Sequence, residues 1–135
     1  MSGTTEFVTP YENLLKSADL SPSRLPATVK IERESLINII KSLLRGVHVD
    51  EEWYRRTYTD VDAAIVAGSY TSAKHHFVED GYFEGRRAGP VVVDEAWYKT
   101  VYSDVAEGME LGEIQSAQSH FEEHGYREGR LPSAY

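Results

Sequence analysis

Five histidines, 22 carboxylates and no cysteine set the chemistry open to this 135-residue chain. Thiolate catalysis, disulfides, iron–sulfur ligation and cysteine zinc sites are excluded at once. His120 and His124 have the i, i+4 spacing of helical metal ligands, with Glu123 and Glu128 nearby. However, Asp80 stands 44 residues before His124, and no H-E-x-x-H is present, so neither a metal nor another cofactor is expected. His76 and His120 read as packed histidines bonded to Asp60 and Asp104 or to a backbone carbonyl. Arg86 and Arg130, each ending a Glu-Gly-Arg triplet, could clamp an anionic ligand. A guanidinium fork suits an internal carboxylate equally well, which predicts an Arg86–Asp60 or Arg86–Asp50 brace. Trp53, Tyr54, Tyr82 and their counterparts Trp97, Tyr98 and Tyr126 could stack on a sugar ring or fill a core. Together with Arg86 and Arg130 they are the candidate binding residues. Paired acids such as Glu122-Glu123 share one face and cannot flank a scissile bond. With no phosphate loop, nucleophile elbow or dinucleotide fingerprint, the chain has no expected catalytic residues and is not expected to be an enzyme.

These residues recur because the chain repeats itself. Residues 49–86 align with 93–130 at an offset of 44 without a gap, and 19 of 38 positions are identical. They include Asp50, Trp53, Tyr54, Tyr58, Asp60, His76, Phe77, Gly81, Glu84, Gly85 and Arg86. A fixed period of this length marks tandem copies of one supersecondary module.

Each copy reads as three short helices. Asp50 and Asp94 are placed as N-caps ahead of Trp53 and Trp97, Asp60 and Asp104 as caps of a second helix, and Ser72 and Ser116 as caps of a third. Gly81 and Gly125 are expected at the left-handed C′ position, which would bring Phe77 to Tyr82 and Phe121 to Tyr126 in a Schellman motif. The N-terminal segment differs. Thr9-Pro10-Tyr11-Glu12 spells a capping box for a helix through about Ala18, Val29 and Ile31 alternate as a weak strand, and a helix ending at Gly46 carries Leu36, Ile37, Ile39, Ile40, Leu43 and Leu44. Six large aliphatics exceed one helix face, so this helix is expected to pair with a second copy as a homodimer, or to cap the first repeat. The expected fold class is all-α: an N-terminal helical and oligomerisation segment (1–46), then repeat 1 (47–90) and repeat 2 (91–135), two three-helix modules of 44-residue period.

Charge divides unevenly along the chain. Residues 1–46 carry a net +1 and residues 47–135 a net −9, so nucleic acid is a poor partner for the repeats. Apolar runs never exceed five residues, no membrane span is expected, and the first ten residues lack signal-peptide character, giving a cytoplasmic expectation.

The series Asp94, Trp97-Tyr98, Tyr102, Asp104-Val105, His120-Phe121, Gly125-Tyr126-Arg127-Glu128-Gly129-Arg130 resembles bacterial tandem repeats of the form acidic-x-x-W/Y-Y-L, N-P-D-V, H-Y-L-x-x-G-x-x-E-G-R. Those repeats accompany glycosyltransferase and rhamnan-synthesis domains of surface polysaccharide systems. The resemblance covers residues 49–131, with Thr59 and Ser103 where proline is usual. It implies a module and a polysaccharide context, with no catalytic residue to carry over. The expected function is a non-catalytic accessory or adaptor protein binding a protein partner. The alternatives are a glycan-binding module using the aromatics and acids of the repeats, and a DNA-binding or dimerisation element in residues 28–46.

Overall fold

A computed structural model describes residues 7–135. The protein is all-α: eight helices and no strand among the described residues. In order they are α1 (Tyr11–Lys16), α2 (Arg33–Leu44), α3 (Glu51–Thr57), α4 (Thr59–Val66), α5 (Ala73–His76), α6 (Glu95–Val101), α7 (Ser103–Glu110) and α8 (Ala117–His120). α5 and α8 each run on into a wider π turn, Phe77–Gly81 and Phe121–Gly125. No described helix is long and apolar enough to cross a membrane. The chain forms two compact units, divided between Gly89 and Pro90.

In the first unit, Leu44, Val49, Tyr54, Val61, Ala73, Phe77 and Val78 form a buried cluster. Helix α2 joins it through Leu44 and the partly buried Ile40, and Lys41 Nζ reaches Glu79 at 2.9 Å. Leu44 and Ile40 therefore cover repeat 1 and do not belong to a free oligomerisation face. Leu36 and Leu43 remain 44 % and 41 % exposed, and Ile37 is half-buried. The second unit buries Val93, Tyr98, Val105, Ala117 and Phe121, the residues 44 positions after five members of the first cluster.

Capping follows the sequence where the side chain has no competing partner. Asp50 and Asp94 accept from the Trp53 and Trp97 amides at 3.0 and 3.1 Å, and Ser72 and Ser116 cap α5 and α8. Asp60 and Asp104 do not cap. They sit inside the first turns of α4 and α7, whose N-caps Tyr58 and Tyr102 make no side-chain cap bond, and their carboxylates go to arginines. The Thr9 capping box also does not form: Pro10 is the N-cap of α1, and Thr9 Oγ1 donates to the Ser42 carbonyl on α2. Val29 and Ile31 lie in irregular chain, with no strand among the described residues to pair with, which removes the strand expected before α2.

Where each third helix ends, the left-handed glycine is Gly85 or Gly129 (φ +82° and +79°), four residues beyond the expected Gly81 and Gly125. Arg86 N–H bonds the Gly81 carbonyl and Gly85 N–H the Tyr82 carbonyl, the paired bonds of a Schellman motif, and Arg130 and Gly129 repeat them. Gly81 and Gly125 serve another need. A Cβ at either position would overlap the hydroxyl of Tyr54 or Tyr98. Phe77 and Tyr82 still touch, edge to face at 6.1 Å, because Tyr82 N–H closes the π turn onto the Phe77 carbonyl.

Candidate functional site

Five repeated polar residues of each copy converge on one chain of contacts. Tyr54 on α3 has its ring fully buried, and its hydroxyl lies 2.9 Å from His76 Nδ1 at the end of α5. The other ring nitrogen, Nε2, is 3.5 Å from Glu84, and the same Glu84 oxygen accepts from Arg86 Nε at 3.1 Å. Arg86 then forks onto both Asp60 oxygens at 3.0 and 2.7 Å, with its guanidinium 4.9 Å from the Tyr58 ring centre. The second unit repeats the series as Tyr98–His120 (2.9 Å), His120–Glu128 (4.0 Å), Arg130–Glu128 (3.2 Å) and Arg130–Asp104 (2.8 and 2.8 Å). Of the two braces expected for Arg86, the one to Asp60 forms.

The electrostatics follow from this arrangement. Burial pushes the pKa of His76 below the ordinary histidine value, as Glu84 works against it and Arg86 with it. His120 is lowered by burial and then by Arg130. Neutral rings with the proton on Nε2 satisfy both ends, since Nδ1 then accepts from the tyrosine hydroxyl and Nε2–H points at the glutamate. The hydrogen bonds from Arg86 and Arg130 hold the Asp60 and Asp104 carboxyls below the usual carboxylate range. Burial raises the Tyr54 and Tyr98 hydroxyls. A hydroxyl–imidazole–carboxylate series has the connectivity of a proton relay. Here its hydroxyl end is sealed under Gly81 or Gly125, while its carboxylate end, Glu84 or Glu128, is half exposed, and the series braces the third helix of each copy against the first.

Backbone ties complete each copy. Tyr58 Oη accepts from Arg87 N–H at 3.0 Å, and Asp50 N–H reaches the Ala88 carbonyl at 2.9 Å. Tyr102 and Leu131 (2.8 Å), and Asp94 and Pro132 (2.9 Å), do the same in the second unit.

The candidate binding residues thus separate. Tyr54 and Tyr98 are 0 % exposed and offer no ring face to a ligand, which corrects their assignment as binding residues. Trp53 and Trp97 are half-buried, edge-on to Tyr58 and Tyr102. Arg86 and Arg130 are committed to the brace. Tyr126 is half-buried against Phe121, and Tyr82 lies exposed beside Phe83. His120 gives Nδ1 to Tyr98 while His124 lies exposed at the surface, and no group of three metal-ligating side chains occurs among the described residues.

Sequence reasoning missed four partners. Glu84 and Glu128 link histidine to arginine, and only their recurrence in both copies signals it. Glu51 accepts from the Ala73 and Lys74 amides at 2.8 and 3.0 Å. In the second unit the tie runs instead from Gln118, which bonds Val93 N–H and the Val91 carbonyl. Comparison with protein-family models, with curated proteins and with solved structures finds no match to this chain.

Proposed function

We propose that the chain is a non-catalytic adaptor that binds a protein partner through the acidic outer faces of its two repeats, in the cytoplasm, in an envelope-polysaccharide context that rests on the repeat resemblance alone. One observation carries this reading: the repeated tyrosine, histidine, glutamate, arginine and aspartate of each copy are spent on an internal brace whose tyrosine is fully buried. What remains for other molecules is a surface with a net charge of −9 over residues 47–135. Such a surface suits a basic protein partner, whose encounter it accelerates and orients. The exposed Leu36 and Leu43 on α2 supply a second, apolar contact through which two copies associate.

The test is crosslink capture with the full chain, followed by calorimetry on the purified pair at low and high salt. A dissociation constant that weakens several-fold with salt supports the proposal. Saturable binding to neutral or acidic oligosaccharides, with no protein captured, would move the assignment to glycan recognition.

A further inference from the structure

The two repeats differ at one corner, where the turn after the second helix meets the third. In the first unit Tyr70 fills this corner. Its ring stands edge-on to His76 at 4.7 Å and to His75 at 5.4 Å, and its hydroxyl donates to Asp80 at 2.5 Å. In the second unit the same place is an open cleft of about 230 Å³, lined by Ile114, Ser119, His120, Glu123 and His124, among others. A paired substitution opens it. Ile114 replaces Tyr70, and Gly108 on α7 replaces Ala64. Ile114 turns inward onto the core of the unit, over the bare backbone of Gly108, where a Cβ would come within 2.5 Å of Ile114 Cδ1. His120 lines the cleft at 9 % exposure, against 5 % for His76 beneath Tyr70, and His124, its ring 5.8 Å from that of His120, holds the sequence position of Asp80, which receives the tyrosine hydroxyl.

We propose that this cleft binds a tyrosine side chain presented by a partner polypeptide, a proposal that names the contact for the protein-binding reading above and rests on it. The occupant is argued from the first unit, in which the chain's own tyrosine fills the equivalent space. The volume falls below the roughly 300–1,000 Å³ of pockets that hold larger ligands and suits one inserted side chain. The chemistry also matches: an edge-to-face contact on the His120 imidazole at the base, and a ring nitrogen of His124 to accept from the phenol at the mouth.

The experiment is a ¹⁵N-resolved NMR titration of the full chain with N-acetyltyrosinamide. Saturable shifts are expected at residues 113–124 and not at 69–80, with N-acetylphenylalaninamide several-fold weaker. Ile114→Tyr, which refills the cleft from within, should weaken binding at least ten-fold. His124→Asp, at an exposed position, restores the acceptor of the first unit and should bind at least as well, which keeps the test decisive if Ile114→Tyr fails to fold. Equal shifts in both units, undiminished binding by a folded Ile114→Tyr, or the same shifts from an oligosaccharide but not from tyrosinamide would each overturn the proposal. If tyrosinamide binding is lost in Ile114→Tyr but a purified protein partner binds it unchanged, the cleft is not the contact and the protein-binding reading stands. If tyrosinamide binds and no protein partner is found, the reverse holds.

Discussion

Tyr54→Phe removes one hydroxyl from the fully buried end of the brace and leaves the ring packing in place. His76 Nδ1 then loses its hydrogen-bond partner in a water-poor site, at a cost of about 1–3 kcal/mol in urea unfolding, and Tyr98→Phe should do the same in the second unit. A parent-like midpoint would mean that the hydroxyls contribute nothing. The histidines also set a pH dependence. Their pKa values are lowered in the folded protein, so the unfolded chain takes up protons first as pH falls through the ordinary histidine value of about 6.5. Stability is therefore full above that pH and declines below it, by at most about 1.4 kcal/mol per pH unit for each ring. Asp60 and Asp104 add a second loss at lower pH. Their carboxyls are depressed by Arg86 and Arg130, so their contribution is present above the unfolded value of about 3.9 and disappears as pH falls through the folded one. Urea midpoints measured from pH 7.5 to 5 should fall in the parent and fall less steeply in His76→Gln. A flat parent profile would remove the histidines from the account.

The glycines carry the prediction at the scale of elements. Gly85→Ala places a side chain at φ +82° and should cost about 1–2 kcal/mol. Gly81→Ala faces a different obstacle, because its Cβ overlaps a tyrosine hydroxyl already fixed to His76, and overpacking of this kind costs about 1–3 kcal/mol. Tyr54→Phe should relieve the second penalty and leave the first untouched, which urea unfolding of the double variants would resolve. The pair also shows how far the sequence could be read. Helix starts at Asp50, Asp94, Ser72 and Ser116 were legible because each cap is a local bond from a side chain to an amide two or three residues on. Two glycines four residues apart were not, since a glycine kept for its positive φ and one kept for its missing Cβ look identical, and only the long-range approach of Tyr54 tells them apart. Asp60 was misread as a cap because its true partner lies 26 residues away on Arg86. The Arg86–Asp60 brace itself was legible, through charge matching and repetition. The open corner at Ile114 was not, because it depends on Gly108 making room for a side chain to turn inward.

For the molecule as a whole, α2 divides its aliphatics between a buried side, with Leu44 and Ile40, and an exposed one, with Leu36 and Leu43. Leu44→Ala should cost about 2–5 kcal/mol, since Leu44 is 8 % exposed in the core of the first unit, whereas Leu36→Glu should leave the fold intact and dissociate a dimer. Sedimentation at low micromolar concentration should give twice 15.2 kDa for the parent and the monomer mass for Leu36→Glu. A monomeric parent would leave α2 with only its covering role. The backbone ties from Asp50 to Ala88 and from Asp94 to Pro132 have a mechanical consequence. The chain enters and leaves each folded repeat one hydrogen bond apart, so under tension a folded repeat adds almost nothing to the span between its neighbours in sequence. Once that clasp opens, the stretch from Asp50 to Ala88 can extend to roughly 130 Å. A repeat of this kind stores contour length, and a pair in series would release it in two steps.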